Sequence, residues 1–509
     1  MKNTVKIVSI LLSLVFLVCT FSACGEEGGD TSKTDTSTTS QSSREYNYGP
    51  VDYGEFPYAD KKLDPDKPIR ILCVNTERHP FGVQQFEYIP EKEGNAVNGA
   101  VQNRNNKLLE DYGIAFEVAS DTYPTDQLKI LIQSGVDEYD VVCESVDRLV
   151  TGVTENLYWS LDGVIDFGQP WWDKDAIEAL SLSDKHFFLT GAAILTDDDN
   201  TYLTLYNKDM YGKNSAASAH GNIYDIVRAG DFTIDLYYEM CKAASMPDSN
   251  GQWGINATFG NLSHSYGATV MMNGLGYATV AKNEMGELYL NVDSEAAITA
   301  FGKVYDLMSD LQNTQRAELI IGKSPTTKST YGFAELEEMF INGKGLFYNT
   351  TSSSVSILKS ANMDFEFGVL PIPKLEKGDA TGYNCTVNRY QSSALAVPST
   401  VSASRLEEVA FALNALGFFN ADVIRAYYQT TLQLQAVRSD DDAEMLDIIY
   451  NSRFYDIGAI FGWGNVHSLY SNVIADSSAN TLVSKWESIR DAVQTDMEAT
   501  LEAYEKSLN

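Results

Sequence analysis

Residues able to do acid–base or metal chemistry are numerous in this chain, but they are not spaced for catalysis. No HExxH zinc motif, GxSxG nucleophile elbow, P-loop or GxGxxG loop occurs. The 70 acidic residues supply so many carboxylate pairs that such pairs do not by themselves indicate a glycoside hydrolase. The five histidines are scattered, at His79, His186, His220, His264 and His467. We therefore predict a protein that is not an enzyme and that uses no cofactor or metal.

One segment is similar to the start of a calcium-binding loop. Residues 246–251 read Met-Pro-Asp-Ser-Asn-Gly, but the later acidic ligands of such a loop are missing at the required spacing. Proline, aspartate, asparagine and glycine are also the residues that favour tight turns. We interpret the segment as a turn.

The N-terminus has the pattern of an export signal. Lys2 and Lys6 precede an apolar stretch over residues 7–18, and Phe21-Ser22-Ala23 leads to Cys24. A cysteine after two small residues resembles a bacterial lipobox, although Phe21 stands where leucine is usual. We interpret residues 1–23 as a lipoprotein signal peptide and Cys24 as the acylated, palmitate-bearing first residue. An uncleaved anchor is the alternative, but the stretch is short of the ~20 apolar residues that a spanning helix needs.

A flexible linker is predicted over residues 24–48. Between residues 25 and 44 nearly all side chains are Gly, Ser, Thr, Asp, Glu or Gln, without apolar periodicity. Such a segment cannot bury enough surface to offset its ordering entropy. As a coil of ~20 residues it would hold a folded body ~25 Å from a membrane anchor.

Length and charge limit the classes of function. The 509 residues are enough for two or three domains, and 44% are hydrophobic, as in globular proteins. The formal charge is −33, and without Lys2 and Lys6 of the leader 35 basic residues face 70 acidic ones. Binding to nucleic acid or to an anionic membrane surface is therefore disfavoured.

Four cysteines remain after processing, at Cys73, Cys143, Cys241 and Cys385. None is close to another in sequence, and Cys73 and Cys143 each end an apolar run typical of a buried strand. We predict four unpaired core thiols, although spacing alone leaves a disulfide open in an exported protein.

Strands and helices alternate after the linker, which predicts an α/β layer with a mostly parallel sheet. Strands are predicted at residues 69–74, 114–118 and 139–142, with a helix over 101–112 stopped by Gly113 and a second helix capped by Thr125. Helical periodicity dominates later, with a cap at Thr233 and a long apolar stripe from Leu482 to Tyr504.

Six segments together resemble the extracellular solute-binding proteins of bacterial ABC importers, family 1, the group of maltose- and oligosaccharide-binding proteins. They occur in the family's order over most of the chain, although Ile234 stands where the family usually has Trp. The segments are 135–142 (GVDEYDVV), 205–211 (LYNKDMY), 231–235 (DFTID), 340–347 (FINGKGLF), 367–373 (FGVLPIP) and 394–399 (ALAVPS).

This resemblance implies an α/β, two-lobe periplasmic-binding-protein-like fold, the type II Venus-flytrap, with discontinuous lobes joined by hinge strands. The first lobe would comprise residues 66–196 and 373–430. The second would comprise residues 204–366 and 431–509. A solute would be held between the lobes as they close.

The resemblance also suggests which residues hold the solute. Sugars present apolar faces that stack on aromatic rings and hydroxyls that need paired donors and acceptors. We therefore expect ligand contacts from polar and aromatic residues where strands reach the cleft. The candidates are Asn75, Glu77, Arg78, Glu144, Asp147, Trp172, His264, Tyr266, Tyr348, Asn349 and Trp463. Tyr348 and Asn349 are expected to follow a strand that ends at Phe347, and the glycines beside Trp463 are expected to leave its ring exposed. A uronate would need a cationic side chain in the cleft, and Arg78, Arg389 and Arg453 leave that ligand open.

The function that these inferences favour is an extracellular lipoprotein on the cell membrane. It would be a monomer that captures a carbohydrate, in particular an oligosaccharide, and delivers it to the membrane subunits of an ABC permease. Three alternatives stay open: a glycoside-acting enzyme, a binding protein that reports to a membrane sensor kinase, and a peptide-binding protein of the same fold.

Overall fold

Two mixed β-sheets organise the computed structural model, which describes residues 53–378, 382–429, 439–476 and 478–507. The predicted signal peptide, Cys24 and the linker over 24–48 lie outside the described residues. The strands are β1 (Ile69–Val74), β2 (Phe116–Asp121), β3 (Val141–Ser145), β4 (Tyr202–Asn207), β5 (Phe259–Ser263), β6 (Val280–Lys282), β7 (Leu288–Leu290), β8 (Thr314–Arg316), β9 (Gly345–Thr351), β10 (Phe367–Leu370), β11 (Cys385–Thr386), β12 (Ser393–Ala396) and β13 (Arg453–Phe454).

Helices surround the sheets. They are α1 (Ala96–Tyr112), α2 (Pro124–Gln133), α3 (Val146–Leu149), α4 (Lys174–Leu180), α5 (Lys208–Lys213), α6 (Ser215–Ser218), α7 (Ile223–Arg228), α8 (Ile234–Ala244), α9 (Gly267–Gly274), α10 (Glu295–Ser309), α11 (Phe333–Ile341), α12 (Ser353–Ser360), α13 (Ala403–Phe419), α14 (Ala421–Tyr427), α15 (Asp440–Tyr450), α16 (Ile457–Phe461), α17 (Leu469–Ala475) and α18 (Leu482–Lys506).

The first sheet has the order β12-β3-β1-β2. Strands β1, β2 and β3 are parallel, and β12 pairs antiparallel to β3. Every residue of β3 is buried, as expected for a parallel strand covered on both faces. The prediction for β1 is confirmed at both ends, whereas β2 and β3 begin two residues later than the sequence pattern indicated.

The second sheet has the order β10-β4-β9-β5-β8. Strand β4 lies antiparallel to both of its neighbours, β9 and β10, while β5 runs parallel to β9 and β8. All six residues of β4 and all seven of β9 are buried. Strands before and after this sheet in the chain build the first sheet, so the chain leaves the first sheet and returns to it.

Most helix ends follow the sequence signals. Gly113 ends α1 with a φ of 65°, and the side chain of Thr233 accepts a hydrogen bond from the N–H of Leu236 at the start of α8. The predicted cap at Thr125 is wrong: α2 begins at Pro124, with Tyr123 as the capping residue. Proline fits the first helical position because its φ is already helical and its missing N–H is not needed there.

The minor sequence predictions also have outcomes. Cys73, Cys143, Cys241 and Cys385 are buried and unpaired, as predicted. Residues 246–251 form a turn in which the carboxylate of Asp248 accepts hydrogen bonds from two later N–H groups. Within the described residues no single helix is long and apolar enough to span a membrane; one bent pair, α13 with α14, meets that criterion only when its helices are taken together.

The C-terminal helices contact helices beside the second sheet and residues that precede β4 in the chain. Helix α17 packs against α9 and α10, which flank the second sheet. The Tyr504 hydroxyl of α18 donates to the Leu180 carbonyl, and the centres of the Tyr504 and Phe187 rings lie 5.0 Å apart. Leu180 and Phe187 both precede β4 in the chain. The lobe boundaries inferred from the sequence stay a prediction.

Candidate ligand-binding site

Charged side chains meet where β1 and β3 end. These parallel strands are neighbours, so the loops after them emerge at the same edge of the first sheet. Arg78 Nη1 lies 2.5 Å from Glu144 Oε1, and Arg78 Nη2 donates to Ser145 Oγ at 2.5 Å. The Ser145 hydroxyl donates in turn to Asp147 Oδ1 at 2.7 Å. The structure thus brings three of the predicted site residues, Arg78, Glu144 and Asp147, into one network.

Burial sets the electrostatics of this network. Glu144 is completely buried, and burial raises the pKa of its carboxyl while the charge of Arg78 opposes that rise. Asn75 Nδ2 donates to Thr122 Oγ1 at 2.9 Å, and Asn75 Oδ1 accepts from the Arg78 N–H. Glu77 is exposed. Asn75 therefore fixes the loop that carries Arg78, while the Glu77 carboxylate faces solvent.

Aromatic rings that follow β5 of the second sheet reach this edge. The rings of His264 and Tyr266, which lie between β5 and α9, stack at 6.2 Å with an interplanar angle of 6°. Tyr266 meets Tyr390, which precedes β12 of the first sheet, at 5.9 Å. Phe333 lies 5.2 Å from His264, and Tyr331 lies 6.3 Å from Phe333. We call these five residues the aromatic row; it runs from Tyr390, beside the first sheet, to the exposed ring of Tyr331.

Arg389 lies beside the aromatic row and the charged network. Its side chain is buried, its guanidinium carbon lies 4.8 Å from the centre of the Tyr390 ring, and its Nη2 lies 3.7 Å from Asp147 Oδ2. A Cβ atom added at Gly462 would lie 3.4 Å from Arg389 Nη2 and 3.4 Å from His467 Nδ1, so both side chains approach this glycine. Burial, with the charge of Arg389, lowers the pKa of His467 to about 4, so its imidazole is neutral at pH 7.

Two predicted site residues lie inside the second sheet. Tyr348 and Asn349 were expected to follow a strand, but β9 continues to Thr351 and includes both. Asn349 Nδ2 donates to Thr204 Oγ1 at 2.9 Å, and the Tyr348 ring packs at 5.6 Å on Phe340. The strand end expected after Phe347 is therefore wrong, because polar side chains continue the strand by pairing within the sheet. Their ligand contacts stay predictions.

Both predicted tryptophans are packed in the protein. Trp172 is buried, bridges to Gly191 and meets Trp171 at 6.4 Å. Trp463 is also buried: its indole N–H donates to Thr500 Oγ1 at 2.8 Å, and its ring stacks on Phe461 at 4.8 Å. The structure does not bring either ring to the charged network by a contact among the described residues, and their predicted roles in stacking on a ligand stay untested.

Sequence reasoning missed three of the five rings of the aromatic row. Tyr390 and the two outer rings, Tyr331 and Phe333, were not among the candidates. Tyr390 follows Arg389 in a polar turn directly before the buried strand β12, and that position at the edge of a parallel sheet was the available signal. Tyr331 and Phe333 carry no comparable signal, since they lie at the start of α11, whose position relative to β5 is set by tertiary packing.

A second charged cluster occupies the segment that crosses between the sheets. Arg453 Nη1 lies 3.2 Å from Asp197 Oδ2 and 3.1 Å from Asp198 Oδ1, and Arg453 Nη2 lies 3.4 Å from Asp173. Burial raises the pKa of Asp197 and of Asp198, and it raises the pKa of Asp199 to about 7. Three carboxylates thus share one guanidinium at the crossing, while Asp199 accepts a hydrogen bond from Tyr427 instead.

Solved structures of similar fold bind sugars. A cyclo/maltodextrin-binding protein complexed with maltotetraose has a TM-score of 0.53 at 13% identity, covering 88% of this chain and 100% of its own. An ABC substrate-binding protein from Listeria monocytogenes in complex with cycloalternan has a TM-score of 0.51 at 14% identity, covering 85% and 98%. A sugar transporter from Rhizobium etli in an open conformation has a TM-score of 0.53 at 14% identity, covering 86% and 99%.

These likenesses extend over whole chains, so they show the fold. The α/β, two-lobe Venus-flytrap fold that the sequence predicted is confirmed. No protein-family model matches the sequence, and no curated protein matches it either. Within the described residues, no group of three or more histidine, cysteine, aspartate or glutamate side chains is arranged to hold a metal ion.

Proposed function

We propose that this protein is an extracellular solute-binding protein that captures an oligosaccharide between its two lobes and delivers it to an ABC importer. In this proposal it acts as a monomer, performs no catalysis and is held at the cell membrane by a lipid on Cys24. The first lobe comprises residues 66–196 and 373–430, and the second residues 204–366 and 431–509.

The contact between Tyr266 and Tyr390 carries the proposal. It joins an aromatic ring of the second lobe to one of the first lobe beside the paired charges of Arg78 and Glu144. A sugar needs this combination, since its C–H faces stack on rings and its hydroxyls need fixed donors and acceptors. A solute that contacts both rings binds the closed arrangement better than the open one, which is the requirement for ligand-driven closure.

The similar solved proteins support a carbohydrate as the ligand. Their reported complexes contain maltotetraose and cycloalternan. The acidic surface of this chain agrees with a neutral or small solute and with a position outside the cell, and it disfavours nucleic acid as a partner.

A thermal-shift screen tests this function. The mature chain, with C24S to prevent acylation, is melted with mono- and oligosaccharides and with short peptides, and the solutes are analysed afterwards by chromatography. A ligand at 100 times its dissociation constant adds about 2.7 kcal/mol to the free energy of unfolding, which raises the melting temperature measurably. A sugar that raises it and is recovered unchanged supports the proposal. A consumed sugar indicates an enzyme, and shifts by peptides alone contradict a carbohydrate ligand.

Membrane attachment and delivery have separate tests. Wild-type protein should sediment with membranes and C24S should be released, because one cysteine carries the anchor in this proposal. Deleting the chain should abolish cellular uptake of the sugar found in the screen. If the deletion strain takes up the sugar normally but no longer changes transcription in response to it, the partner is a sensor kinase instead.

A further inference from the structure

Arg389 is a buried cation in which two guanidinium nitrogens have no hydrogen-bond acceptor. Its exposed fraction is 6%, and within the part of the chain that the structure describes its Nε and Nη1 atoms are buried and bond to no acceptor. Leaving a guanidinium unpaired away from water is costly, so such groups normally have a partner. Arg78 and Arg453, by contrast, each bond directly to carboxylates. Arg389 thus differs from the other arginines of the cleft and the crossing.

The neighbours of Arg389 do not supply the missing acceptor. Asp147 is 3.7 Å from Nη2, beyond hydrogen-bond distance, and one of its oxygens already accepts from Ser145. His467 lies on the other side, close to Gly462, and its Nδ1 is likewise buried without a partner among the described residues. The Tyr390 ring covers one face of the guanidinium, and the Tyr390 hydroxyl hydrogen-bonds to the Arg389 side chain, yet Nε and Nη1 stay without an acceptor among the described residues. The open positions are therefore in the plane of the guanidinium, where a carboxylate binds.

We propose that the cleft takes an acidic sugar, and that Arg389 binds the carboxylate of a uronic acid residue. This inference rests on the proposed function and names the class of its ligand. A planar carboxylate matches the planar fork of an arginine and can accept from two N–H groups at once, whereas a sugar hydroxyl satisfies only one of them. The ring of the same sugar would lie against Tyr390 and Tyr266, which are adjacent.

The negative charge of the whole protein does not oppose this assignment at the site. Long-range repulsion from a charge of −33 slows the approach of an anion and is screened by salt beyond about 8 Å. Contacts inside the cleft determine the dissociation rate, and most affinity differences reside there. We therefore expect an acidic sugar to bind more weakly at low ionic strength than at physiological salt.

Isothermal titration of matched ligands tests the inference. The probes are digalacturonate and the disaccharide of glucuronate and glucose, each compared with its methyl ester, which removes the charge and keeps the sugar. We expect at least one acid to bind wild-type protein at least 10-fold more tightly than its ester. R389Q should remove that preference, so that acid and ester bind it equally, and R389K should retain part of the preference, because lysine keeps the charge but not the fork. R490Q, on an exposed arginine of α18, is the control and should behave as wild type.

The outcomes separate this inference from the proposed function. Neutral oligosaccharides that bind while neither acid exceeds its ester would overturn the acidic-sugar inference and leave the sugar-binding function standing. Binding of peptides with no sugar bound would overturn both. An acid preference that survives in folded R389Q would remove Arg389 from the site. The acid-to-ester comparison uses wild-type protein, so it remains decisive even where R389Q fails to fold.

Discussion

The guanidinium of Arg78 and the completely buried carboxylate of Glu144 lie 2.5 Å apart and connect the ends of two adjacent parallel strands. The pair holds both loops at the edge of the first sheet where the aromatic row begins. Its position makes it a structural element of the cleft as well as a candidate ligand contact.

Neutralising Glu144 should be strongly destabilising. E144Q leaves Arg78 without its charged partner in a mostly buried position, and breaking a buried pair in this way costs about 3 kcal/mol of the free energy of unfolding. Chemical denaturation measures the loss. E155Q is the matched control, because Glu155 pairs with Lys129 on the exposed surface and should contribute under about 1 kcal/mol. Equal effects of the two substitutions would contradict the burial of the Arg78–Glu144 pair.

Removing the first-lobe ring should weaken ligand binding with little effect on stability. Tyr390 is 39% exposed, so Y390A removes little packing from the core. An aromatic contact contributes about 0.5–1.5 kcal/mol, which corresponds to a 2- to 12-fold rise in the dissociation constant of the sugar found by thermal shift. Tyr289 on β7 has a similar exposed fraction, 45%, and Y289A should leave the dissociation constant unchanged. A Y390A dissociation constant equal to that of wild type would exclude Tyr390 from the site.

The sequence predicted the parts of the fold that local patterns determine. The apolar run over Ile69–Val74, the Gly113 helix end and the Thr233 cap each depend on neighbouring residues, and all are confirmed. The C-terminal end of β9 could not be predicted from the sequence, because Tyr348 and Asn349 carry polar groups that usually mark the end of a strand. They are buried only through partners in other segments, such as Phe340 and Thr204.

The sequence predicted the charged part of the candidate site and two rings of the aromatic row, His264 and Tyr266, but not how they meet. Arg78, Glu144 and Asp147 follow apolar strands, and the parallel order of those strands brings them together. The aromatic row combines residues 266 and 390, which are separated by more than 100 positions and meet only because two lobes approach each other. Glycine next to Trp463 suggested an exposed ring, whereas the structure uses those glycines for close packing.

The buried carboxylates at the crossing should make the protein less stable as pH rises. Burial raises the pKa of Asp199 to about 7, above the value near 4 of an unfolded aspartate. The folded state therefore holds a proton that the unfolded state releases, so the stabilisation present below pH ~4 is lost as pH rises toward 7, by up to about 1.4 kcal/mol per pH unit. D199N should reduce the fall in the free energy of unfolding between pH 5 and pH 7.

Asp199 has neighbours that titrate, so the difference between variant and wild type is the informative quantity. His79 Nε2 lies 3.8 Å from Asp199 Oδ2, and burial lowers the pKa of His79 to about 3, which favours folding at higher pH. That opposing contribution is present in both proteins. D64N, at an exposed aspartate, changes the net charge equally and should preserve the wild-type slope. A slope in D199N as steep as in wild type would contradict a protonated Asp199.

Gly464 should not tolerate a side chain, and this tests how Trp463 is packed. Its φ is 51°, its N–H donates to Asp496, and an added Cβ would lie 2.6 Å from the Val493 nitrogen of α18. G464A combines a left-handed backbone cost with a clash, so we expect a loss of about 3 kcal/mol in the free energy of unfolding. Gly286 has a φ of 79° but open space around it, so G286A should cost only about 1 kcal/mol. If both substitutions cost the same, the turn beside Trp463 is not packed against α18.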